Sequence, residues 1–172
     1  FYIDFNAYQN RSKDYKSSSG DIKNILNNFN DEDVDAVILD LRNNGGGALI
    51  EANKIIGLFV ASGPTVQVKH SKGYIQPYGD GKAIQVWKKP LVVLVNRYSA
   101  SASEIVAGAI QDYQRGLIVG QRTFGKGTVQ SLEQLSKGQI KITESKYYRV
   151  NGTSTQNKGV VPDIELPATW DI

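Results

Sequence analysis

The chain has 172 residues, 40% of them hydrophobic, and a formal net charge of +3. That length suits one domain with its own core, and no apolar run approaches the roughly 18 residues that a membrane-spanning helix needs. The absence of cysteine excludes disulfides, a cysteine nucleophile and thiolate metal sites, the single histidine disfavours zinc, and lysines interleaved with acidic residues disfavour nucleic-acid binding.

The first quarter of the chain predicts a strand, a loop, a helix and a second strand. Residues 1–5 are typical of the middle of a strand, and residues 6–20 form a polar loop. Residues 21–30 place apolar side chains at helical spacing and begin with Asp21, a suitable N-cap. Residues 34–41 form a nearly continuous apolar run, VDAVILDL, which predicts a buried strand because it is too short for a typical helix.

A glycine-rich break precedes the next elements. Residues 42–47, RNNGGG, interrupt the apolar pattern, and the helix that follows has a broad apolar face and ends at a Gly-Pro pair. Residues 65–68 and 84–87 predict two strands around a polar turn region. Residues 91–95, LVVLV, predict a second fully buried strand.

The remaining chain predicts one helix followed by strands. An amphipathic helix is expected over residues 99–113 and a short buried strand over residues 117–119. Residues 126–132, 139–143 and 146–150 predict further strands separated by glycine and polar turns. Strands that alternate with helices predict βαβ units, so we expect an α/β fold with a partly parallel sheet and a β-rich C-terminal part.

Ser101 lies where a buried strand turns into a helix. Sites in α/β sheets are usually built at such turns, and free backbone N–H groups and the positive end of the helix dipole lie nearby. From this segment alone, however, the pattern Ser101-x-x-Glu104 favours a capping box over a nucleophile. Asp112 lies about 16 Å further along the helix axis, so we assign it to helix packing rather than to a catalytic triad.

Lys126 stands between two glycines and is therefore accessible to a neighbouring group. The single histidine, His70, lies in a polar stretch far from any serine cluster, so a serine nucleophile would need another base. A lysine can serve when burial among apolar groups favours its neutral form. If the segment is a strand, Gln130 projects from the same face and its amide oxygen can orient the lysine. The alternatives are an exposed turn lysine and an ordinary polar strand residue.

The glycine triplet Gly45-Gly46-Gly47 lies between a strand and a helix. Backbone N–H groups in such a turn can point into a site without an obstructing side chain. Together with the N–H of Ala102, just after the serine, one of them would form an oxyanion hole. The alternative is a flexible turn, because a lone glycine triplet is a weak signal.

A nucleotide-binding loop is a competing interpretation of the lysine segment. The run from Gly120 to Thr128 nearly matches the phosphate-binding pattern G-x-x-x-x-G-K-[ST]. Gly127 stands where the pattern requires serine or threonine, and the residues that follow predict a strand where a helix is needed. We therefore disfavour this interpretation.

Four segments together resemble the tail-specific, or carboxy-terminal processing, serine proteases. They extend over nearly the whole chain in the expected order: VILDLRNNGGG, VNRYSASASEIVAGAIQDY, TFGKGTVQ and YYRVNGTSTQNKGVVPDI. The resemblance implies a crotonase-like (ClpP-like) core and a Ser-Lys dyad. The middle serine of SASASE matches the nucleophile, Ser101; the lysine and glutamine of FGKGTVQ match the base, Lys126, and its orienting partner, Gln130. This agreement outweighs the capping interpretation.

The resemblance also implies an oxyanion hole formed by backbone N–H groups. One donor would be Ala102, and the other would be Gly46 or Gly47, between which the resemblance does not decide. Where many family members have Asn-Pro-Gly-Gly, this chain has Asn-Gly-Gly-Gly. The change should loosen the loop and leave the donor glycines in place.

The resemblance carries expectations for the whole protein. Family members have a PDZ domain ahead of this core; this chain lacks methionine and begins with strand-like residues, so we expect residues 1–172 to be a single protease core excised from a longer protein. The implied substrates are proteins with apolar, flexible C-termini, the implied location is periplasmic, and no metal or cofactor is implied. The alternative function is a non-catalytic peptide-binding or scaffold module.

Overall fold

The computed structural model describes residues 1–81 and 83–168. Its helices are α1 (Phe5–Gln9), α2 (Ser18–Asp31), α3 (Leu49–Phe59) and α4 (Ala102–Asp112). Its strands are β1 (Val37–Asp40), β2 (Val66–His70), β3 (Ile75–Tyr78), β4 (Leu91–Val95), β5 (Leu117–Gly120), β6 (Thr128–Gln134), β7 (Gln139–Tyr148) and β8 (Ile164–Glu165). The predicted α/β class is confirmed, with one parallel and one antiparallel sheet among the described residues.

The parallel sheet has the strand order β1-β4-β5-β8. The connection from β1 to β4 includes α3, and the connection from β4 to β5 is α4, so the expected βαβ units are present. Alternate residues of β4 are buried, whereas β1 lies at the edge and its Ile38 is 65% exposed. The prediction of a fully buried strand over residues 34–41 is therefore wrong for one face, because that face of the edge strand stays open to solvent.

The antiparallel sheet has the strand order β3-β2-β7-β6 and contains most of the β-rich C-terminal part. Residues 139–143 and 146–150 were predicted as separate strands, but most of this stretch forms the single strand β7, which pairs with β6 and β2 along different parts of its length. The register of β6 against β7 shifts between Val129 and Gln130. This irregularity lies close to the predicted site.

The two central helices form the core beneath the parallel sheet. α3 packs against α2 and α4, and the residues at these contacts are fully buried. They include Ile55, Ile56 and Phe59 of α3 and Val106 and Ile110 of α4. Burial of each such side chain stabilises the fold by about 1.5–3 kcal/mol. This packing fixes the start of α4, the position that follows Ser101.

The start of α2 differs from the sequence prediction. The helix begins at Ser18 rather than at residue 21, and the Ser17 hydroxyl accepts a hydrogen bond from the Gly20 N–H at 3.1 Å. The fully buried carboxylate of Glu51 accepts from the Ser19 N–H at 2.8 Å. Ser17 rather than Asp21 is therefore the cap, and a side chain from α3 accepts a further N–H of the first turn.

Two predicted strands are absent from the described residues. Residues 1–5 contribute one bridge, between Ile3 and Ser17, because the main chain of Phe1 bonds to the glycine-rich loop instead. Residues 84–87 lie along the end of α3, where the N–H groups of Val86 and Trp87 both donate to the Leu58 carbonyl. Besides β7, β2 pairs with β3, which lies in the stretch predicted as a polar turn.

Candidate active site

Ser101 occupies the turn between β4 and α4 in an unusual backbone conformation. Its φ and ψ are 59° and −116°, whereas a residue that caps a helix normally lies in the extended region. Residues other than glycine seldom adopt a positive φ, and such strain persists only where the surroundings hold it. In α/β-hydrolases, a strained strand-to-helix turn presents the serine nucleophile. The conformation favours a positioned nucleophile over a simple cap.

Two neighbouring segments frame the site: the serine turn, residues 99–103, and the glycine loop, residues 43–48. Ser99 and Ser103, on either side of Ser101, hold the serine turn in place. The Ser99 hydroxyl donates to the Leu41 carbonyl at 2.8 Å, and the Ser103 hydroxyl donates to the Asn44 carbonyl at 2.8 Å. Ser99 and Ser103 are fully buried, so these bonds are shielded from water. The two segments are therefore fixed side by side.

Gly46 is in direct contact with the serine turn. A Cβ added to Gly46 would lie 2.8 Å from the Ala100 carbonyl oxygen and 2.9 Å from the Ala102 nitrogen, so only glycine permits this approach. The Gly46 N–H donates to Asn44 Oδ1 at 3.0 Å and is thereby engaged. Gly47 lines the cavity in front of the serine turn.

A cavity of about 480 Å³ brings most of the predicted site residues together. Those that line it are Ser101, Ala102, Lys126, Gln130 and Gly47. Its apolar lining residues include Leu49, Val68, Ile105 and Val129. The volume is typical of sites that enclose a small molecule or a few side chains of a peptide.

Lys126 lies in the lysine loop, residues 123–127, which leads into β6. Its side chain is half-buried at the cavity, and Gly125 beside it has a φ of 92°, a conformation that favours glycine. Within residues 1–81 and 83–168, no hydrogen bond joins the Lys126 ammonium to the Ser101 hydroxyl. Both groups therefore line one cavity without a direct bond.

The expected strand geometry around Gln130 is wrong. Lys126 precedes β6 rather than belonging to it, and the register shift after Val129 breaks the alternation of side chains. The exposed Gln130 amide nitrogen donates to Thr143 Oγ1 at 3.2 Å. Gln130 does line the cavity with Lys126, but regular strand spacing does not explain its position.

Glu104 has a larger part in the site than its interpretation as half of a capping box suggested. Its carboxylate is fully buried and accepts the Ser101 N–H at 2.8 Å, the reciprocal bond of such a box. It also accepts the N–H groups of Gly125 and Lys126, at 2.7 Å and 2.9 Å, and the Thr123 hydroxyl at 2.6 Å. The spacing of Glu104 from Ser101 was visible in the sequence, but its contact with a loop about 20 residues away was not.

Asp112 lies away from the serine turn, in agreement with its assignment to packing. Its carboxylate forms an ion pair with Arg149 at 2.5 Å and accepts the Asn151 side-chain amide at 2.8 Å. Both side chains of the ion pair are largely buried, at 5% and 14% exposure for Asp112 and Arg149. The pair joins the end of α4 to the segment that follows β7.

The phosphate-loop interpretation is incompatible with the bonds of the lysine loop. The N–H groups of Gly125 and Lys126 donate to Glu104, and the Gly127 N–H donates to Gln156 Oε1 at 2.7 Å. These groups cannot also bind a phosphate, and a strand follows where the motif needs a helix. Across the described residues, no group of three or more metal-binding side chains comes together.

Comparison with known proteins places these features in a family. Residues 2–166 match Peptidase family S41. A tail-specific protease of Haemophilus influenzae is 48% identical over 166 residues, which cover 91% of this chain and 24% of that protein. A chloroplastic C-terminal processing peptidase of Tetradesmus obliquus is 43% identical over 135 residues, covering 77% of this chain and 29% of that protein.

A solved structure supports the same relationship. The photosystem II D1 C-terminal processing protease superposes with a TM-score of 0.77 at 39% sequence identity, over 86% of this chain and 39% of that one. A putative S41 protease of Bacteroides fragilis shares the fold, with a TM-score of 0.73 at 20% identity. The chain spans about a quarter of the length of its Haemophilus relative.

Proposed function

The chain belongs to Peptidase family S41, and from this premise we propose that it is the core of a serine endopeptidase that cleaves proteins near flexible, apolar C-termini. The observation that carries the proposal is the strained Ser101 at the head of α4, beside a cavity that Lys126 also lines. The names of its relatives, a tail-specific protease and a C-terminal processing peptidase, support cleavage near a C-terminus.

The substrate binds in this proposal as an extended strand. β6 is the outer strand of the antiparallel sheet, and its first residues line the cavity. An edge strand can bond to an added peptide through its main chain, which gives affinity without demanding one sequence. The apolar wall beside Ser101 then accepts a substrate side chain next to the scissile bond.

The reaction follows an acyl-enzyme route. Neutral Lys126 removes the proton from Ser101 Oγ, which attacks the scissile carbonyl carbon and forms a tetrahedral intermediate. Collapse of this intermediate breaks the peptide bond, and Lys126 delivers the proton to the leaving amine. Water, deprotonated by Lys126, then attacks the ester and releases the acyl group as a carboxylic acid, and Lys126 returns the proton to Ser101 Oγ. Gln130 orients the lysine through its amide oxygen, since its amide nitrogen donates to Thr143.

The oxyanion donors in this scheme are the N–H groups of Ala102 and Gly47. The Gly46 N–H already donates to Asn44, whereas Gly47 lines the cavity. Two donors of this kind stabilise the charge that develops in the transition state. Gly46 serves instead as the close contact that keeps the glycine loop against the serine turn.

We propose that a peptide-capturing PDZ domain accompanies this core and that the protein acts in the periplasm. Both expectations come from the resemblance to the tail-specific proteases, a name that the Haemophilus relative carries. Among the described helices, none is both long and apolar enough to cross a membrane.

A non-catalytic peptide-binding module is the second candidate, favoured by one observation. No hydrogen bond joins Ser101 to Lys126 within the described part of the chain. A module of this kind would use the same cavity and the same β6 edge to hold a peptide without cleaving it.

Cleavage of an unfolded polypeptide with an apolar C-terminus separates the two candidates. Ser101→Ala and Lys126→Ala should each reduce kcat/KM by at least about 1,000-fold, because each removes a group that bonds to the reacting atoms. Ser71→Ala and Lys72→Ala, at exposed positions, serve as controls and should cleave normally. Undiminished cleavage in either site variant would contradict the dyad, and peptide binding without cleavage in the unsubstituted protein would favour the binding module.

A further inference from the structure

The serine turn and the lysine loop reach the cavity from different parts of the fold. α4 and β5 separate them along the chain, and their side chains are not joined by a hydrogen bond within the described residues. Any proton transfer between Ser101 and Lys126 therefore depends on contacts that hold the two backbones at a fixed separation.

Glu104 makes such a contact through the backbone N–H groups of both residues. One carboxylate oxygen, Oε2, accepts the N–H of Ser101 at 2.8 Å and the N–H of Lys126 at 2.9 Å. The other oxygen accepts two donors of the lysine loop, the Gly125 N–H and the Thr123 hydroxyl. A carboxylate is suited to this arrangement because both of its oxygens only accept.

Tyr147 makes a second contact, at the backbone carbonyl groups of the same two residues. Its hydroxyl donates to the Lys126 carbonyl and lies 3.3 Å from the Ser101 carbonyl. The side chain is 2% exposed, and burial raises the pKa of the phenol, so the hydroxyl remains a donor at neutral pH. Tyr147 lies on β7 of the antiparallel sheet, whereas Glu104 lies on α4. The two contacts therefore come from different parts of the fold.

We propose that Glu104 and Tyr147 are positioning residues that clamp the main chains of Ser101 and Lys126 from opposite sides and thereby set the distance between the nucleophile and its base. The proposal rests on the dyad of the proposed function. Each acts through the backbone of the dyad, and Tyr147 also lines the cavity. The N–H groups of Ser101 and Lys126 and the Lys126 carbonyl are bonded to the side chains of Glu104 and Tyr147, so neither residue can turn without breaking one of these bonds.

Tyr147→Phe is the sharpest test, because it removes the hydroxyl and retains the buried ring. We expect kcat to fall by about 100-fold with KM changed less than about twofold, since a displacement of 1 Å between reacting groups has an effect of this size. Tyr148→Phe is the matched control: it removes a hydroxyl from the next residue, which faces a different cleft, and should leave kcat unchanged. Glu104→Gln should act in the same direction as Tyr147→Phe, because the amide NH₂ would face other donors.

Hydrogen exchange tests the clamp without relying on cleavage. In Tyr147→Phe the amide of Lys126 should exchange about tenfold faster or more, because its bond to Glu104 would open more often, while Tyr148→Phe should match the unsubstituted protein. Unchanged exchange and unchanged kcat in Tyr147→Phe would overturn the clamp. A kcat loss explained by unfolding, and restored at a temperature where the variant is fully folded, would overturn it as well. Failure of Ser101→Ala to reduce cleavage would instead contradict the proposed function.

Discussion

At the scale of single residues, the site depends on two positions in contact that both have a positive φ. Gly46 has a φ of 105° and lies against the serine turn so closely that any Cβ would overlap Ala100 and Ala102. Ser101 itself has a positive φ of 59°, which serine adopts at a cost of about 1–3 kcal/mol. A glycine and a strained serine in contact support the proposal that this backbone geometry positions a nucleophile.

Gly46→Ala should therefore damage both the fold and the activity. We expect the free energy of unfolding to fall by about 1–3 kcal/mol and cleavage to be lost, because the added methyl group displaces the Ser101 turn. Thermal or urea unfolding gives the first value and a peptide assay the second.

Gly45→Ala is the control for stability. A Cβ at Gly45 meets nothing within 4 Å and its φ is not positive, so the free energy of unfolding should change by less than about 0.5 kcal/mol. Equal unfolding curves for the two variants would show that the contact at Gly46 is not tight.

At the scale of elements, α4 carries the site at one end and an anchor at the other. Ser101 precedes its first residue, and Asp112, its last, forms the ion pair with Arg149. The helix is thus held to the segment beyond β7, the strand that supplies Tyr147. Displacement of the anchor is expected to loosen the whole helix rather than to change the chemistry directly.

Asp112→Asn should reduce the free energy of unfolding by about 3 kcal/mol, because it leaves the largely buried Arg149 guanidinium without its counter-charge. The folded fraction should retain a normal KM. Asp40→Asn is the matched control: its pair with Arg42 is about half exposed, so the loss should stay below about 1 kcal/mol. Normal unfolding of Asp112→Asn combined with loss of kcat would contradict the structural assignment and indicate a catalytic role.

Elements with strong local patterns were predictable, and those set by distant contacts were not. The apolar runs of β4 and β5 and the periodicity of α4 identified those elements, because their own side chains form the core. The start of α2 depends on Glu51 from another helix, and residues 84–87 bond to the end of α3 rather than to a strand. Such partners cannot be read from neighbouring residues.

In the site, too, features with a local sequence pattern were predictable and those set by distant contacts were not. The motifs identified Ser101 and Lys126 as candidates, and the structure places both at one cavity. The roles of Glu104 and Tyr147 were not visible, because each bridges segments that are far apart in sequence. The regular strand expected around Gln130 failed because of a register shift, which only the pairing with β7 reveals.

At the scale of the whole molecule, the cavity lies between the turns that follow β1 and β4 of the parallel sheet and residues of the antiparallel sheet. The strand β4 of the parallel sheet leads into the serine turn, and the lysine loop leads into β6 at the edge of the antiparallel sheet. The first residues of β6 and Ser101 line the same cavity. In the proposed function, a peptide that pairs with the β6 edge is therefore brought next to the nucleophile.

Backbone methylation of the substrate tests this strand addition. One N-methyl group beside the scissile bond should reduce kcat/KM by about tenfold, the effect of losing a main-chain hydrogen bond and obstructing the edge. The same group placed ten residues away should have no effect. Equal cleavage of both peptides would exclude pairing with β6.

The most direct test of the account is to identify the residue that is acylated during cleavage. An activated peptide ester, mixed with the protein and quenched in acid within milliseconds, should leave its acyl group on Ser101, as located by mass spectrometry of the digested chain. Lys126→Ala should show far slower acylation, and Ser101→Ala none. An acyl group on another residue, or acylation of Lys126→Ala at the normal rate, would contradict the Ser-Lys mechanism.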